Sequence, residues 1–321
     1  MKQYLCFLLL AFASSGPALA QTPTDPLSWL GRISNAAHKL NYTGTFTYQS
    51  GKHMETSRIT HLVDASGEYE KLEALDGSPR EVVRNNEEVQ CFLPEQKLLI
   101  VDQFGARRSF PARLPQSPSA LAENYRIRKG EVARVAGMET QQIILEPRDD
   151  MRFGHQLWAD VNSGLLLRAR LLGDKGDSIE QFVFTEVQIG APFDKEKVRS
   201  RFTRSPDWKV VNARGSDVRM EDLGWVFRNS IPGFRQMVSV VRQPRKDRGE
   251  AYHVVFSDGL AAISVFIEPE MSKGHPQSGL SASGSFNIFR RSVADHRITV
   301  LGEVPVQALI RIADGVELRK R

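Results

Sequence analysis

The sequence predicts an α+β protein: one large antiparallel sheet that curls, then a smaller α+β unit. Three observations predict it. The apolar spacing switches from helical to alternating near Asn41 and stays strand-like to about Ile189. Over that stretch turn signals recur too closely to leave room for crossover helices. A charge-crowded, apolar-poor stretch over 192–222 then separates it from a second run of strands that ends in a helix.

The N-terminus comes first. Lys2 supplies a positive start, Leu5 to Ala13 a short apolar run, and Ala18-Leu19-Ala20 the small-x-small pattern of a cleavage site. That run falls well short of the ~20 residues a membrane span needs. A signal peptide over 1–20 is expected, with cleavage after Ala20 and export. Asp25-Pro26 is a good helix start, and Leu30, Ile33, Ala37 and Leu40 follow at helical spacing to about Asn41. Tyr42, Gly44, Phe46 and Tyr48 then alternate with threonines, as in a strand with two unlike faces.

Turn chemistry follows at Gly51-Lys52, Asp64–Gly67, Asp76–Pro79, Asn85-Asn86, Ala136-Gly137, Asn162–Gly164 and Asp174–Asp177. One interruption, the proline-rich Phe110–Pro118, leads into a short helix expected over Ser119–Tyr125. A meander this long must curl to bury its apolar side. Phe46, Tyr48, Leu62, Trp158, Leu166, Phe182 and Phe184 are the large residues assigned to its concave face. Either that face leaves a cavity between bulky side chains, or it simply packs on the N-terminal helix.

The expected organisation is a first domain over 21–200, a linker over 201–220, a second domain over 221–318 and a basic tail at 319–321. In the second domain Phe234–Gln243, Ala251–Phe256 and Leu260–Glu268 read as strands, with a tight turn at Ser257-Asp258-Gly259. Met271–Ser285 reads as a loose Gly- and Ser-rich stretch. A strand over Arg297–Gly302 follows, and Pro305 opens a helix with Val306, Leu309, Ile310 and Ala313 on one face, stopped by Gly315.

Composition narrows the function. Lysine and arginine number 43 against 38 acidic residues, a net charge of +5 spread through the chain. For an exported protein this mild basic bias points away from nucleic acid and toward anionic lipid or an acidic partner segment, although solubility alone also explains it. After cleavage Cys91 is the only cysteine, so no internal disulfide forms, and its strand-like setting marks it as a small buried hydrophobe. No G-x-S-x-G elbow, S-x-x-K, phosphate loop or H-E-x-x-H occurs, and the histidines lack ligand spacing. Nothing nominates a base, a nucleophile and an oxyanion stabiliser together, so catalysis is not expected. Arg107-Arg108 with Arg113, Arg126-Arg128-Lys129, and Arg242-Arg245-Lys246-Arg248 form basic clusters suited to phosphate or carboxylate, or simply to a wet surface.

Eight stretches occur in order along the chain: LNYTGTFTYQ from Leu40, GSPREVVRN from Gly77, WADVNSGLLLRARLL from Trp158, EQFVF from Glu180, IPGF from Ile231, FSDGL from Phe256, ITVLGEVP from Ile298 and RIA from Arg311. As an ordered set they resemble the RseB/MucB family, periplasmic negative regulators of the envelope-stress sigma factor of Gram-negative bacteria. The resemblance implies a LolA/LolB-like half-barrel sheet with inner helices, then a small α+β domain. It implies binding to the periplasmic segment of a MucA/RseA-type anti-sigma factor, shielding of that segment from the site-1 protease, and release by lipopolysaccharide or lipoprotein acyl chains. It implies no enzyme activity and no cofactor. Trp225, Ile231, Phe234, Arg242, Arg245, Lys246 and Arg248 are taken as the surface that meets the partner, with a structural role in turns as the other reading. A periplasmic lipid or lipoprotein carrier of the LolA type is the alternative function. Homodimer or higher-oligomer formation stays open.

Overall fold

The computed structural model describes residues 25–103, 114, 118–190, 192, 194–242, 249–270 and 278–319. The expected leader, most of the proline-rich stretch, the arginines at 107, 108 and 113, and Arg245, Lys246 and Arg248 lie outside the described residues.

Helix α1 (Pro26–Lys39) begins as its sequence demands: the Asp25 carboxylate accepts the Ser28 N–H at 2.9 Å and proline takes the first turn. Strands β1 (Tyr42–Ser50), β2 (His53–Asp64), β3 (Gly67–Ala74), β4 (Glu81–Asn85), β5 (Glu88–Leu93) and β6 (Leu98–Gln103) follow as hairpins. A single helical turn, α2 (Leu121–Asn124), falls where a short helix was expected. It leads into β7 (Tyr125–Val135), β8 (Met138–Pro147), β9 (Gly154–Asp160), β10 (Leu166–Leu172) and β11 (Ser178–Ile189).

Strand β12 (Lys209–Asn212) completes a twelve-stranded sheet ordered β12-β6-β5-β4-β3-β2-β1-β11-β10-β9-β8-β7. The meander therefore folds as two arms joined where β1 pairs with β11, Tyr42 facing Ile189 and Ser50 facing Glu180. Helix α1 lies on the β7–β10 arm, where Trp29, Leu30 and Ile33 pack with Leu121, Tyr125, Ile143, Leu145, Leu157 and Leu166. Burying side chains of this size stabilises by about 1.5–3 kcal/mol each, so the helix is held by packing far more than by its cap.

The stretch 201–220 contains paired backbone at two places. Strand β12 runs parallel to β6, with Trp208 edge-on to Phe92 at 6.3 Å, and β13 (Gly215–Asp217) pairs with a strand of the second sheet. Upstream of β12, Ser200 and Arg201 donate to the fully buried Glu81 carboxylate on β4 at 2.6 and 3.0 Å. A charge-rich segment thus reads as linker in sequence, while cross-strand pairing and a buried carboxylate hold it in place.

The second sheet has seven strands, ordered β13-β15-β16-β17-β20-β19-β18. Beyond β13 they are β15 (Arg235–Arg242), β16 (Ala251–Ser257), β17 (Ala262–Pro269), β18 (Gly279–Ser283), β19 (Phe286–Val293) and β20 (His296–Gly302), while β14 (Trp225–Phe227) pairs separately with β21 (Val316–Leu318). Strand β18 corrects the loose reading of Met271–Ser285: Gly279–Ser283 is exposed and carries almost no apolar signal, yet it pairs fully with β19. Helix α3 (Val306–Asp314) packs on β19 and β20 through Ala308, Leu309, Ile312 and Ala313. Its buried face is turned from the one expected, leaving Val306 and Ile310 only half-buried.

Candidate functional site

A hollow of about 400 Å³ lies between the large sheet and the second unit. Its floor is built at the β1–β11 seam, where strand alternation sends Phe46, Tyr48, Glu180 and Phe182 to one side. The Phe46 and Phe182 rings lie 4.3 Å apart, tilted by 32°. Leu157, Leu166 and Ala169 on β9 and β10 extend the wall. The second unit closes it from above with Leu260, Phe286 and Glu303.

The lining is mostly apolar, with polar side chains that include His155 and Arg170. In one corner Tyr48 donates to Glu180 at 3.1 Å, and Ser285 of the second unit donates to the same carboxylate at 2.7 Å. Burial and then the Glu180 charge push the Tyr48 hydroxyl up to about 12, so it remains a donor at any physiological pH. Elsewhere in the lining Arg80 pairs with Glu55 at 2.6 Å, and His53 lies 3.9 Å from Glu55. The Arg80 and His53 side chains are exposed, which places the Arg80 charge and the imidazole at the mouth. An apolar interior with a charged mouth suits a molecule with a hydrocarbon chain and a polar head. Its volume falls within the ~300–1,000 Å³ of small-molecule pockets.

Of the residues assigned to the concave face, Phe46, Tyr48, Leu166 and Phe182 line the hollow. Leu62 and Trp158 do not. Leu62 is one residue out of phase with His53, Glu55 and Ser57, which line it from the same strand, so it points to the other side. Trp158 is likewise out of phase with His155 and Leu157 and lies under the guanidinium groups of Arg168 and Arg170, 4.6 and 5.6 Å from its centroid. Phe184 packs edge-on against Phe182 at 5.2 Å and against Phe46 at 6.0 Å, behind the lining. Sequence reasoning missed Arg80, Glu180 and the roof residues Leu260, Phe286 and Glu303. Glu180 was within reach, since it shares strand and phase with Phe182.

The residues taken as a partner surface are placed differently. Trp225, Ile231 and Phe234 are buried in the core of the second unit with Val254, Ile263 and Leu309. This corrects their reading as contact residues, because large apolar side chains beside a glycine turn are worth more in packing than in water. Arg242 is half-buried, donating to the Ala213 carbonyl at 3.2 Å, with a guanidinium nitrogen 3.1 Å from His253 Nδ1. Arg126, Arg128 and Lys129 lie on the edge strand β7, where Arg128 pairs with Glu146 at 2.8 Å.

Two buried charge clusters were not legible as such. Under the end of α1, Glu68 accepts from His61 at 3.0 Å, contacts His38 at 3.4 Å, and pairs with Arg84. Burial opposes its ionisation, but hydrogen bonds from His38, His61 and Arg84 outweigh burial and hold this carboxyl far below the usual range. Between the two units, Arg152 is fully buried against Asp258 at 2.7 Å. Among the described residues no group of His, Cys, Asp and Glu is arranged to hold a metal ion, and no helix is long and apolar enough to cross a membrane.

Fold and site together define a two-unit, sheet-built protein with an apolar hollow shared by both units. The chain belongs to the MucB/RseB family: residues 25–202 match the MucB/RseB N-terminal domain and residues 219–317 the MucB/RseB C-terminal domain. It is 30% identical to the sigma factor AlgU regulatory protein MucB of Pseudomonas aeruginosa over 310 residues, 95% of each chain. It is 23% identical to the sigma-E factor regulatory protein RseB of Haemophilus influenzae over 317 residues, 98% of this chain and 96% of the other. The solved MucA/MucB complex of Pseudomonas aeruginosa contains a chain that superposes with a TM-score of 0.72 at 28% identity, covering 93% of this chain and all of that one. Both named relatives are regulatory proteins of a sigma factor.

Proposed function

We propose that this protein is exported to the periplasm after cleavage behind Ala20 and binds the periplasmic segment of a MucA-type anti-sigma factor. Bound there, it shields the segment from site-1 proteolysis, and a lipid-like molecule in the hollow releases it. It acts by binding and carries out no chemistry of its own. The observation that carries the partner is the likeness, over nearly the whole chain, to a MucB solved together with MucA. The lipid half of the reading is supported by the hollow, apolar within and charged at its mouth.

The deciding assay adds the purified anti-sigma segment to its site-1 protease with and without this protein. Cleavage slows at least tenfold in its presence and recovers when a single-chain lipid is added. Equal rates with and without the protein would end the regulatory reading. The hollow is tested separately. Ala169→Trp places an indole where the lining residue is a methyl group, and lipid affinity falls more than tenfold while the unfolding midpoint changes little. Unchanged affinity would remove the hollow as the site. A carrier of the LolA type would move acyl chains between vesicles. The second unit closing over the hollow speaks against free transfer, so none is expected.

A further inference from the structure

Two ties cross between the units beside the hollow. One is polar and light: the Ser285 N–H donates to Ser50 Oγ at 2.7 Å, and Ser285 Oγ donates to Glu180. Gly284 makes this approach feasible, since an added Cβ would lie 2.6 Å from Ser50 Oγ and its φ is +59°. The other tie is an ion pair sealed from water. Arg152, in the loop between β8 and β9, donates Nη1 to Asp258 Oδ2 at 2.7 Å, Nη2 to the Pro232 carbonyl at 2.5 Å, and its Nε and Nη2 to Asp149 at 2.9 and 3.0 Å. Its guanidinium carbon lies 5.6 Å from the Tyr125 ring centroid and 5.2 Å from that of Phe234.

Asp258 is equally occupied. Its Oδ2 takes the Tyr125 hydroxyl at 3.1 Å besides Arg152, and its Oδ1 takes the Leu260 and Ala261 N–H groups at 2.9 and 2.8 Å. One carboxylate therefore fixes the turn that projects Leu260 into the roof of the hollow. Packing interlocks here too: Leu260 packs against the core of the first unit and Met151 against that of the second.

We propose that Arg152 is a positioning residue that couples occupancy of the hollow to the joint between the two units, by holding Asp258 and through it Leu260. This rests on reading the hollow as the acyl site. A buried ion pair stabilises little more than an apolar pair of the same size, but it dictates geometry, and on separation both ions regain hydration. Such a joint is rigid when shut and opens at lower cost than a greasy one. A chain that fills the hollow meets Leu260 at its roof, and any displacement of Leu260 pulls on the two N–H groups that Asp258 holds. Occupancy and joint geometry thereby become linked, each altering the free energy of the other.

Hydrogen exchange resolved by peptide tests this on the whole exported protein, with lysophosphatidylethanolamine below its micelle concentration as probe. In the wild type the probe protects Phe46–Tyr48 and Glu180–Phe182, and it speeds exchange at 231–234 and 257–261 at least about fivefold, the lower end of typical couplings. In the matched apolar pair Arg152→Met with Asp258→Leu, the floor is still protected but the joint no longer responds. If that pair does not fold, Arg152→Lys, which keeps the charge and loses the fork, shows the same loss of response. Protection of the floor with no change at the joint overturns this inference and leaves the hollow's role intact. Absence of protection at the floor overturns both, and a variant that responds like the wild type overturns the role of Arg152.

Discussion

A methyl group added at Gly44 would land 2.6 Å from the Glu186 carbonyl and 2.7 Å from the Phe184 ring. Phe184 can lie across β1 only because this position has no side chain. Gly44→Ala therefore overpacks the seam, and urea unfolding should show a loss of about 1–3 kcal/mol. At Glu68 the effect is electrostatic. Its folded carboxyl titrates below the ordinary range, so its contribution is complete above pH ~4.3 and is lost as pH falls below it. Glu68→Gln is expected to be less stable than the wild type at pH 7, by about 1.5–3 kcal/mol for hydrogen bonds to a charged group. Urea midpoints at pH 7 and pH 3 should show that gap narrowing in acid. Cys91 is half-buried on β5, and burial pushes its thiol up, which keeps it in the unreactive protonated form.

Helix α1 shows how an element is held mainly from outside. Its cap is worth ~1 kcal/mol, the expected cost of Asp25→Ala. Trp29, fully buried among Leu30, Ile33 and the residues of β7–β10, matters more, and Trp29→Ala should cost about 3–5 kcal/mol in the same measurement. The packing of α1 also decides what the concave face becomes. The helix packs on the inner side of the β7–β10 arm and reaches the seam cluster only through Ala36, so the face is partly filled by the helix and partly left as a hollow lined by Phe46, Tyr48 and Phe182. Neither outcome alone describes it.

One of the places where the two units meet brings together sequence-distant residues: Tyr125 and Arg152 from one, Pro232 and Asp258 from the other. The stretches IPGF and FSDGL, two of those that carry the family resemblance, thus supply residues to the joint, while Pro232 and Gly233 stay exposed. Arg152→Met alone leaves Asp258 buried without its cation and should cost about 3–5 kcal/mol, whereas the double change to Met and Leu removes the stranded charge but leaves the Leu260 and Ala261 N–H groups and the Tyr125 hydroxyl without their acceptor, so it recovers only part of that loss. Chemical denaturation of the three proteins measures this difference, and a double change as costly as the single one would contradict it.

Local patterns sufficed wherever one short stretch held all the information. Asp25-Pro26 marks a helix start, alternation from Tyr42 marks a strand, and the turn residues partition the meander, because backbone sterics and a two-faced environment act within a few residues. The family resemblance was legible in the same way, as ordered short stretches. Long-range contacts were not. Whether Leu62 shares a side with Phe46 depends on the phase of its own strand. Whether Arg152 is wet or sealed depends on a turn more than a hundred residues away folding over it. That Gly279–Ser283 is a strand depends on the partner beside it, since its own side chains bury almost nothing. Burial and pairing exist only once distant parts of the chain meet, and the hollow only once both units close on each other, because hydrophobic and ionic free energies are set by which surfaces lose water together.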